Sequence, residues 1–259
     1  MKRWKFGLGS VLVALVATAF VLWRPHASVE SNASAPAFAL IELFTSEGCS
    51  SCPAADRLVA RVQEEMAGRP VYFLGYHVDY WNRLGWKDVY SDPAYTQRQR
   101  QYTRWLGGSN MYTPQIVVNG QQEFVGSNEA ALRSAIRESQ QQPASAALDV
   151  TAYLTNPREL QLKYRVKTEV ISPALWLAFV QREAVSHVGK GENRGKTLTH
   201  VTVVRQLSSL PVQATETQVA LPTDFSSKAW ELLTFLQDAT DGKILAVQPV
   251  KLEEEEPQK

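Results

Sequence analysis

Cysteine is nearly absent from this chain, with two in 259 residues, Cys49 and Cys52. That excludes a framework of several bridges, which staples small domains with many cysteines. Histidine is scarce too: four in all, His26, His77, His187 and His200. None stands at paired zinc-ligand spacing, so a four-ligand structural zinc site is excluded. An excess of charge is also missing, since 27 basic and 26 acidic residues leave a formal +1. Holding nucleic-acid phosphates requires a basic field, and nucleic acid is set aside as a partner. No internal repeat is visible. What is present is an ordinary globular composition, 44% hydrophobic and 20% charged, sufficient for one large domain or two small ones.

Met1-Lys2-Arg3-Trp4-Lys5 is a positive n-region, and Phe6 to Trp23 is apolar apart from Gly, Ser and Thr. This is the pattern of an export signal. The apolar run is longer than a usual signal core and nearly long enough to span a bilayer, and the small residues Ala33-Ser34-Ala35 are followed by Pro36. A cleaved signal and an uncleaved membrane anchor therefore both stand. Either way the basic flank stays inside and the rest of the chain is outside. The expected location is periplasmic or secreted, with membrane attachment through the N-terminal apolar segment as the anchored alternative. Outside the cytoplasm a pair of thiols oxidises unless something reduces it.

Residues 1–35 thus read as signal or anchor with a linker. Phe38 to Thr45 is a short apolar run with one anomaly, Glu42, and reads as a central strand. After the cysteines, Pro53 opens a helical pattern through Ala54, Leu58, Val59, Val62 and Met66 that Gly68 and Pro70 stop. Val71 to Val78 is a second buried strand, and such a strand-helix-strand crossover is parallel and right-handed. Residues 79–110 form an aromatic-rich insertion containing a helix from about Pro93 to Leu106. Gln115–Val118 and Glu123–Val125, joined across Asn119-Gly120, read as a hairpin, and Asn128 caps a helix to Gln142. Beyond Pro143 about seven short alternating runs with turn signals predict an antiparallel sandwich. The expected fold is an α/β domain over residues 36–142, then an all-β, sandwich-like domain over 143–252 and an acidic tail over 253–259.

The C-x-x-C spacing alone serves haem attachment, zinc half-sites and redox dithiols. Haem attachment needs histidine after the second cysteine, where Pro53 stands. In the redox reading a strand ending in Cys49-Ser50-Ser51-Cys52-Pro53 puts the first thiol at a helix N-terminus. There, unpaired N–H groups and the positive end of the macrodipole favour thiolate. Cys49 is then the nucleophile and Cys52, one turn on, the resolving thiol. His77 and Asp79 end the parallel second strand on the same sheet edge, so His77, Asp79 and Trp81 are candidate lining residues.

Strand, C-x-x-C-P, helix, strand, and then Thr113-Pro114 leading a hairpin resembles the layout of the thioredoxin superfamily. The resemblance implies a thioredoxin-like fold, a cis Pro114 packed against the dithiol, and Thr113 presenting backbone to an incoming peptide. It also implies a buried acid in the first strand that moves a proton from Cys52. Glu42 is the candidate, displaced by one residue in its spacing to the cysteines. Four motifs in order resemble a bacterial family of secreted thioredoxin-like proteins of unknown function. They are Glu42 to Asp56, His77-Val78-Asp79-Tyr80-Trp81 with Gly85-Trp86-Lys87-Asp88, Tyr112-Thr113-Pro114-Gln115, and Gly191-Glu192-Asn193 with Leu198-Thr199-His200.

The main functional expectation is a thiol–disulfide oxidoreductase with catalytic Cys49, Cys52, Pro114 and Glu42. Thr113, His77, Asp79 and Trp81 would bind substrate. No cofactor is expected beyond a redox-active disulfide, and the partners would be protein thiols or disulfides and a redox partner. One alternative is a non-enzymatic module with a static disulfide, the sandwich doing the recognition. Another is copper binding by Cys49, Cys52 and His77, which resembles copper-delivery proteins of the same superfamily, although their cysteines are spaced three apart. Two readings also stand for the polar loop Gly191 to Lys196 and His200: a solvated hairpin turn, or a group facing the dithiol across the domain boundary. Ser50-Ser51 matches neither pattern that indicates the direction of electron flow.

Overall fold

Strand β1 (Ala39–Thr45) is buried at every position, as a strand flanked on both edges and covered on both faces must be. It pairs in parallel with β2 (Val71–His77) and antiparallel with β3 (Gln115–Val118). The computed structural model describes residues 36–253 together with Met1 and Lys2. The apolar segment 6–23 with its possible cleavage site, and the tail from 254 on, lie outside the described residues.

Helix α1 (Cys52–Glu65) begins at the second cysteine with Pro53 in its first turn, and helix α3 (Glu129–Ser139) begins where the Asn128 side chain accepts the Ala131 N–H at 3.1 Å. Both bury their apolar stripes, Ala55, Leu58, Val59 and Val62 in one and Leu132, Ala135 and Ile136 in the other, against Ala39, Ile41 and Leu43 of β1. Helix α2 (Pro93–Trp105) is capped by Asp92, which accepts the Ala94 N–H at 2.7 Å. It covers the opposite face, where Tyr95 and Tyr102 pack with Leu40, Phe44, Leu74 and Tyr76. Asn119 and Gly120, both at positive φ, turn β3 into the edge strand β4 (Gln122–Val125).

The remaining strands are β5 (Ala147–Asn156), β6 (Glu159–Lys167), β7 (Pro173–His187), β8 (Thr197–Leu210), β9 (Glu216–Ala220), β10 (Trp230–Asp238), β11 (Ile244–Val250) and β12 (Leu252–Glu253). An N-terminal α/β region is thus followed by an all-β region, as the sequence pattern implies. The four-stranded sheet β12-β5-β6-β9 packs on β7, β10 and β11 through Leu160, Leu162, Tyr164, Leu177, Phe179 and Leu232, as a two-layer sandwich requires.

The larger sheet does not stop at the change of composition near Pro143. Its order is β11-β10-β7-β8-β2-β1-β3-β4, so β8 joins the α/β strands through a parallel bridge between Gly75 and Val203. A side chain at Gly75 would lie 3.2 Å from the Val201 carbonyl; glycine is what permits the approach. Next to the bridge, Thr202 adopts φ 52°, a strained conformation for a β-branched residue. β7 and β8 also run well past the 175–182 and 198–207 expected from the alternation. The extension of β7 from 182 to His187 carries the turn between them to the cysteines.

The expected attachment to a membrane, and with it anchoring in the inner membrane, is corrected for the described residues only. Among the described residues no helix is long and apolar enough to cross a membrane. The longest, α1, has 14 residues, about 21 Å at 1.5 Å per residue against roughly 30 Å of hydrocarbon, and it is amphipathic.

Candidate functional site

The cysteines occupy the turn from β1 into α1. Cys49 N–H bonds the Ser46 carbonyl at 3.2 Å and Cys52 N–H the Cys49 carbonyl at 3.3 Å. The pair forms a disulfide with the Cα atoms 5.4 Å apart. Ser50 and Ser51 are exposed, yet Cys49 is 1% and Cys52 0% exposed. The backbone of the turn meets solvent while its sulfurs point inward. Ser51 precedes the helix without a side-chain cap, which leaves the N-terminal N–H groups open to other acceptors.

Thr113 and Pro114 lie beside this turn, joined by a cis peptide bond. The Pro114 carbonyl accepts Gly126 N–H at 2.8 Å. A side chain at Gly126 would meet Pro114, Ala55 and Leu43 within 3.1 Å, so Pro114 packs near the first turns of α1. Trp81 links the two predicted groups: its Cβ crowds Gly48, and its Nε1–H donates to Thr113 Oγ1 at 2.8 Å. Buried Gln99 of α2 donates to the Tyr112 carbonyl at 2.7 Å and to Gln115 Oε1 at 2.9 Å, fixing the segment from the other side. Asp79 does not turn to the cysteines; it accepts the Thr96 hydroxyl at 2.5 Å and ties the start of the insertion to α2 within it.

Glu42 is placed elsewhere than the proton-relay expectation requires. Side chains alternate along a strand, so one residue of displacement reverses the face. Leu43 faces α1, while Glu42 points at α2, accepting Arg98 Nε–H at 2.6 Å and the Tyr102 hydroxyl. Arg98 also donates to Gln237 Oε1 at 3.2 Å and lies against the rings of Tyr76, Tyr102, Trp176 and Phe235. This is a buried ion pair on the face of the sheet opposite α1.

The acids near the disulfide are Glu47, Asp56 and Asp88, all buried. Asp88 accepts Glu47 N–H at 2.9 Å and Tyr90 N–H at 2.9 Å, with His77 Nδ1 2.7 Å away. Burial works to raise its pKa, but the His77 ring and the two N–H groups outweigh that and hold the carboxyl below its ordinary value. His77 therefore donates through Nδ1–H to an ionised Asp88. Its ring meets that of His200 edge to face at 4.6 Å.

His200, on β8, places Nδ1 3.4 Å from Asp56 and Nε2 3.7 Å from Glu47. At these separations neither nitrogen has a hydrogen-bond partner, and the interaction is one of charge. Burial disfavours the cation, yet Asp56 and Glu47 prevail and push its pKa up to about 9. His200 is thus a buried cation at neutral pH.

The copper alternative fails on its donors. Both cysteines are committed to the disulfide, His77 Nδ1 is held by Asp88, and among the described residues no group of three or more His, Cys, Asp or Glu could hold a metal ion.

The turn between β7 and β8 faces the disulfide rather than solvent alone. Asn193, fully buried, donates through Nδ2 to the carbonyls of Glu47 at 2.8 Å and Cys49 at 2.9 Å. Ser50 N–H donates to Glu192 Oε2 at 2.9 Å. Trp86 packs under Gly189 and Gly191 and donates to Glu47 Oε2 at 2.6 Å. Of the two readings of this loop, the geometry selects the one facing the cysteines. Glu47, Asp56, Trp86 and Asp88 were not singled out as site residues, although each stands within a motif that the sequence displays. Asp56 in particular follows Cys52 by one helical turn, a spacing that puts both on one face.

A sheet entered through a C-x-x-C turn, a crossover helix above it and a cis proline beside it define a thioredoxin-like protein, here carrying an all-β region. The chain belongs to the family described as "Protein of unknown function (DUF1223)", which matches residues 40–237. Thioredoxin of Methanocaldococcus jannaschii is 36% identical over 99 residues, covering 38% of this chain and 92% of that protein. A protein of Agrobacterium tumefaciens solved by X-ray crystallography superposes with a TM-score of 0.63, covering 86% of this chain and 98% of that one at 24% identity. HBP35 of Porphyromonas gingivalis superposes with a TM-score of 0.59 over 85% and 76% of the two chains at 15% identity. At these identities the last two likenesses are of fold alone.

Proposed function

We propose that this protein is a non-enzymatic thioredoxin-fold module. In this reading Cys49–Cys52 is a standing cross-link at the junction with the all-β region, and recognition falls to that region. The observation that carries this is the burial of both cysteines, 1% and 0% exposed, with the Cys49 carbonyl held by Asn193. Exchange requires a thiolate to reach a disulfide sulfur along the S–S axis, and a sealed sulfur offers no approach. The charge around it acts in the same direction. Glu47, Asp56, Asp88 and Glu192 surround the turn against the cation of His200, and carboxylates disfavour a thiolate formed beside them.

The test is the reduction potential of the pair in redox buffers, read by thiol alkylation. A standing bridge is expected below about −300 mV, the range of disulfides that resist glutathione. A value between about −270 and −120 mV, the range of thioredoxin-type oxidoreductases, would overturn the reading. That outcome would favour the second one, an oxidoreductase acting on protein thiols with Cys49 as nucleophile and Cys52 resolving. Its supporting observation is the disulfide at the start of α1 beside the Thr113–Pro114 segment.

A further inference from the structure

We propose that the Gly189–Lys196 turn is a cap docked on the disulfide, and that its local undocking, rather than unfolding of the chain, admits an external thiol to Cys49. This rests on the reading of the bridge as sealed and names the agent that seals it. Between residues 189 and 197 the one buried residue is Asn193. The turn buries no apolar side chain, and it is held by polar contacts together with the packing of Trp86. Asn193 gives its amide to the Glu47 and Cys49 carbonyls, and Lys196 Nζ donates to its Oδ1 at 2.9 Å, orienting it. Gly191 and Gly195, at φ 77° and 79°, bound the docked residues with backbone that rearranges without a side-chain penalty. Outside the turn, the β7–β8 ladder resumes at His187 and Thr197 and stays fixed. A segment with few buried apolar contacts, set on a rigid ladder, belongs to the low-stability end of a structure.

Glu192 gives the cap a second action. Its carboxylate takes the Ser50 N–H beside the start of α1, where Ser51 supplies no cap. The positive field of the helix N-terminus, which would stabilise a Cys49 thiolate, is occupied by a carboxylate instead. Undocking uncovers the sulfur and vacates that field together. An external thiolate then attacks Cys49 Sγ and the Cys49–Cys52 bond breaks, with Cys52 leaving as thiolate and taking a proton from water. With dithiothreitol the second thiol of the reagent expels Cys49, and the reagent ends as the cyclic disulfide, having supplied both electrons.

The experiment measures opening of the disulfide by dithiothreitol in the full chain under native conditions, with and without low urea. Three variants accompany the wild type: Asn193→Ala, Glu192→Gln, and Leu162→Ala in the distant sandwich core. The expected result is opening about twenty-five-fold faster in N193A, as loss of two neutral hydrogen bonds implies, and about fivefold faster in E192Q, whose amide oxygen still accepts the Ser50 N–H but without the carboxylate charge. The rates should depend little on urea, and L162A should open at the wild-type rate. Wild-type rates in both cap variants would overturn the cap, as would urea dependence as steep as global unfolding or equal acceleration in L162A. E192Q changes an exposed side chain, so the test holds even where N193A fails to fold. The variant-to-wild-type ratio judges the cap, whereas the wild-type potential judges the sealed bridge, so either can fail without the other.

Discussion

His200 should leave its signature on the pH dependence of stability. An unfolded histidine titrates near 6.5 and this one near 9; with each tenfold difference in proton affinity worth about 1.4 kcal/mol, the full contribution is about 3 kcal/mol. The folded state binds the proton more tightly, so the contribution is complete below about pH 6.5 and is lost as pH rises through 9. From pH 7 to pH 9.5 the wild type should lose roughly 2 kcal/mol on this account. Tyr76, Tyr95 and Tyr102, whose pKa values burial raises, add a smaller loss towards pH 9.5 as their unfolded forms begin to ionise, and the wild type and the variant share it. The assay is urea unfolding read by tryptophan fluorescence at both pH values, in the wild type and in His200→Gln. The variant should be less stable at pH 7, where Glu47 and Asp56 lose their cation, and should decline much less than the wild type as pH rises. A flat wild-type profile, or a variant that declines in parallel with it, would refute the placement of a charged His200 between those carboxylates.

The buried Glu42–Arg98 pair predicts a double-mutant cycle far from additive. Either Glu42→Leu or Arg98→Met alone should cost about 3–5 kcal/mol by stranding a buried charge, while the double variant recovers much of the loss; denaturant midpoints giving equal, additive costs would remove the pair from the account. Gly120→Ala would put a methyl group 1.8 Å from the Gly242 carbonyl, whereas Gly68→Ala meets nothing within 4 Å, and both glycines have positive φ. Thermal melts should show a loss of about 1–2 kcal/mol at Gly68 from left-handed strain alone and a much larger one at Gly120; similar losses at the two would refute the close approach. Replacing Cys49 and Cys52 together by serine should lower stability by about 2 kcal/mol, as expected for opening so short a loop, and unchanged urea midpoints would show that the bridge contributes nothing to folding.

The sequence by itself determined the local features of the site. Cys49-Ser50-Ser51-Cys52-Pro53 between an apolar strand and an amphipathic helix, the Asn119-Gly120 hairpin and the Asn128 cap depend on residues adjacent in the chain. They fold as read because backbone preference and apolar periodicity agree there. The displacement of Glu42 was also legible, since a strand's period of two makes a shift of one residue a change of face. What only the tertiary structure decided is the environment of the disulfide. Asn193 and His200 stand about 150 residues beyond Cys49 and read, one by one, as ordinary polar residues of a hairpin. Their place depends on how far β7 extends and on the Gly75–Val203 bridge that sets β8 beside β2. Polar residues carry no periodic signal of burial; they are buried here because long-range packing brings carbonyls and opposite charges to meet them.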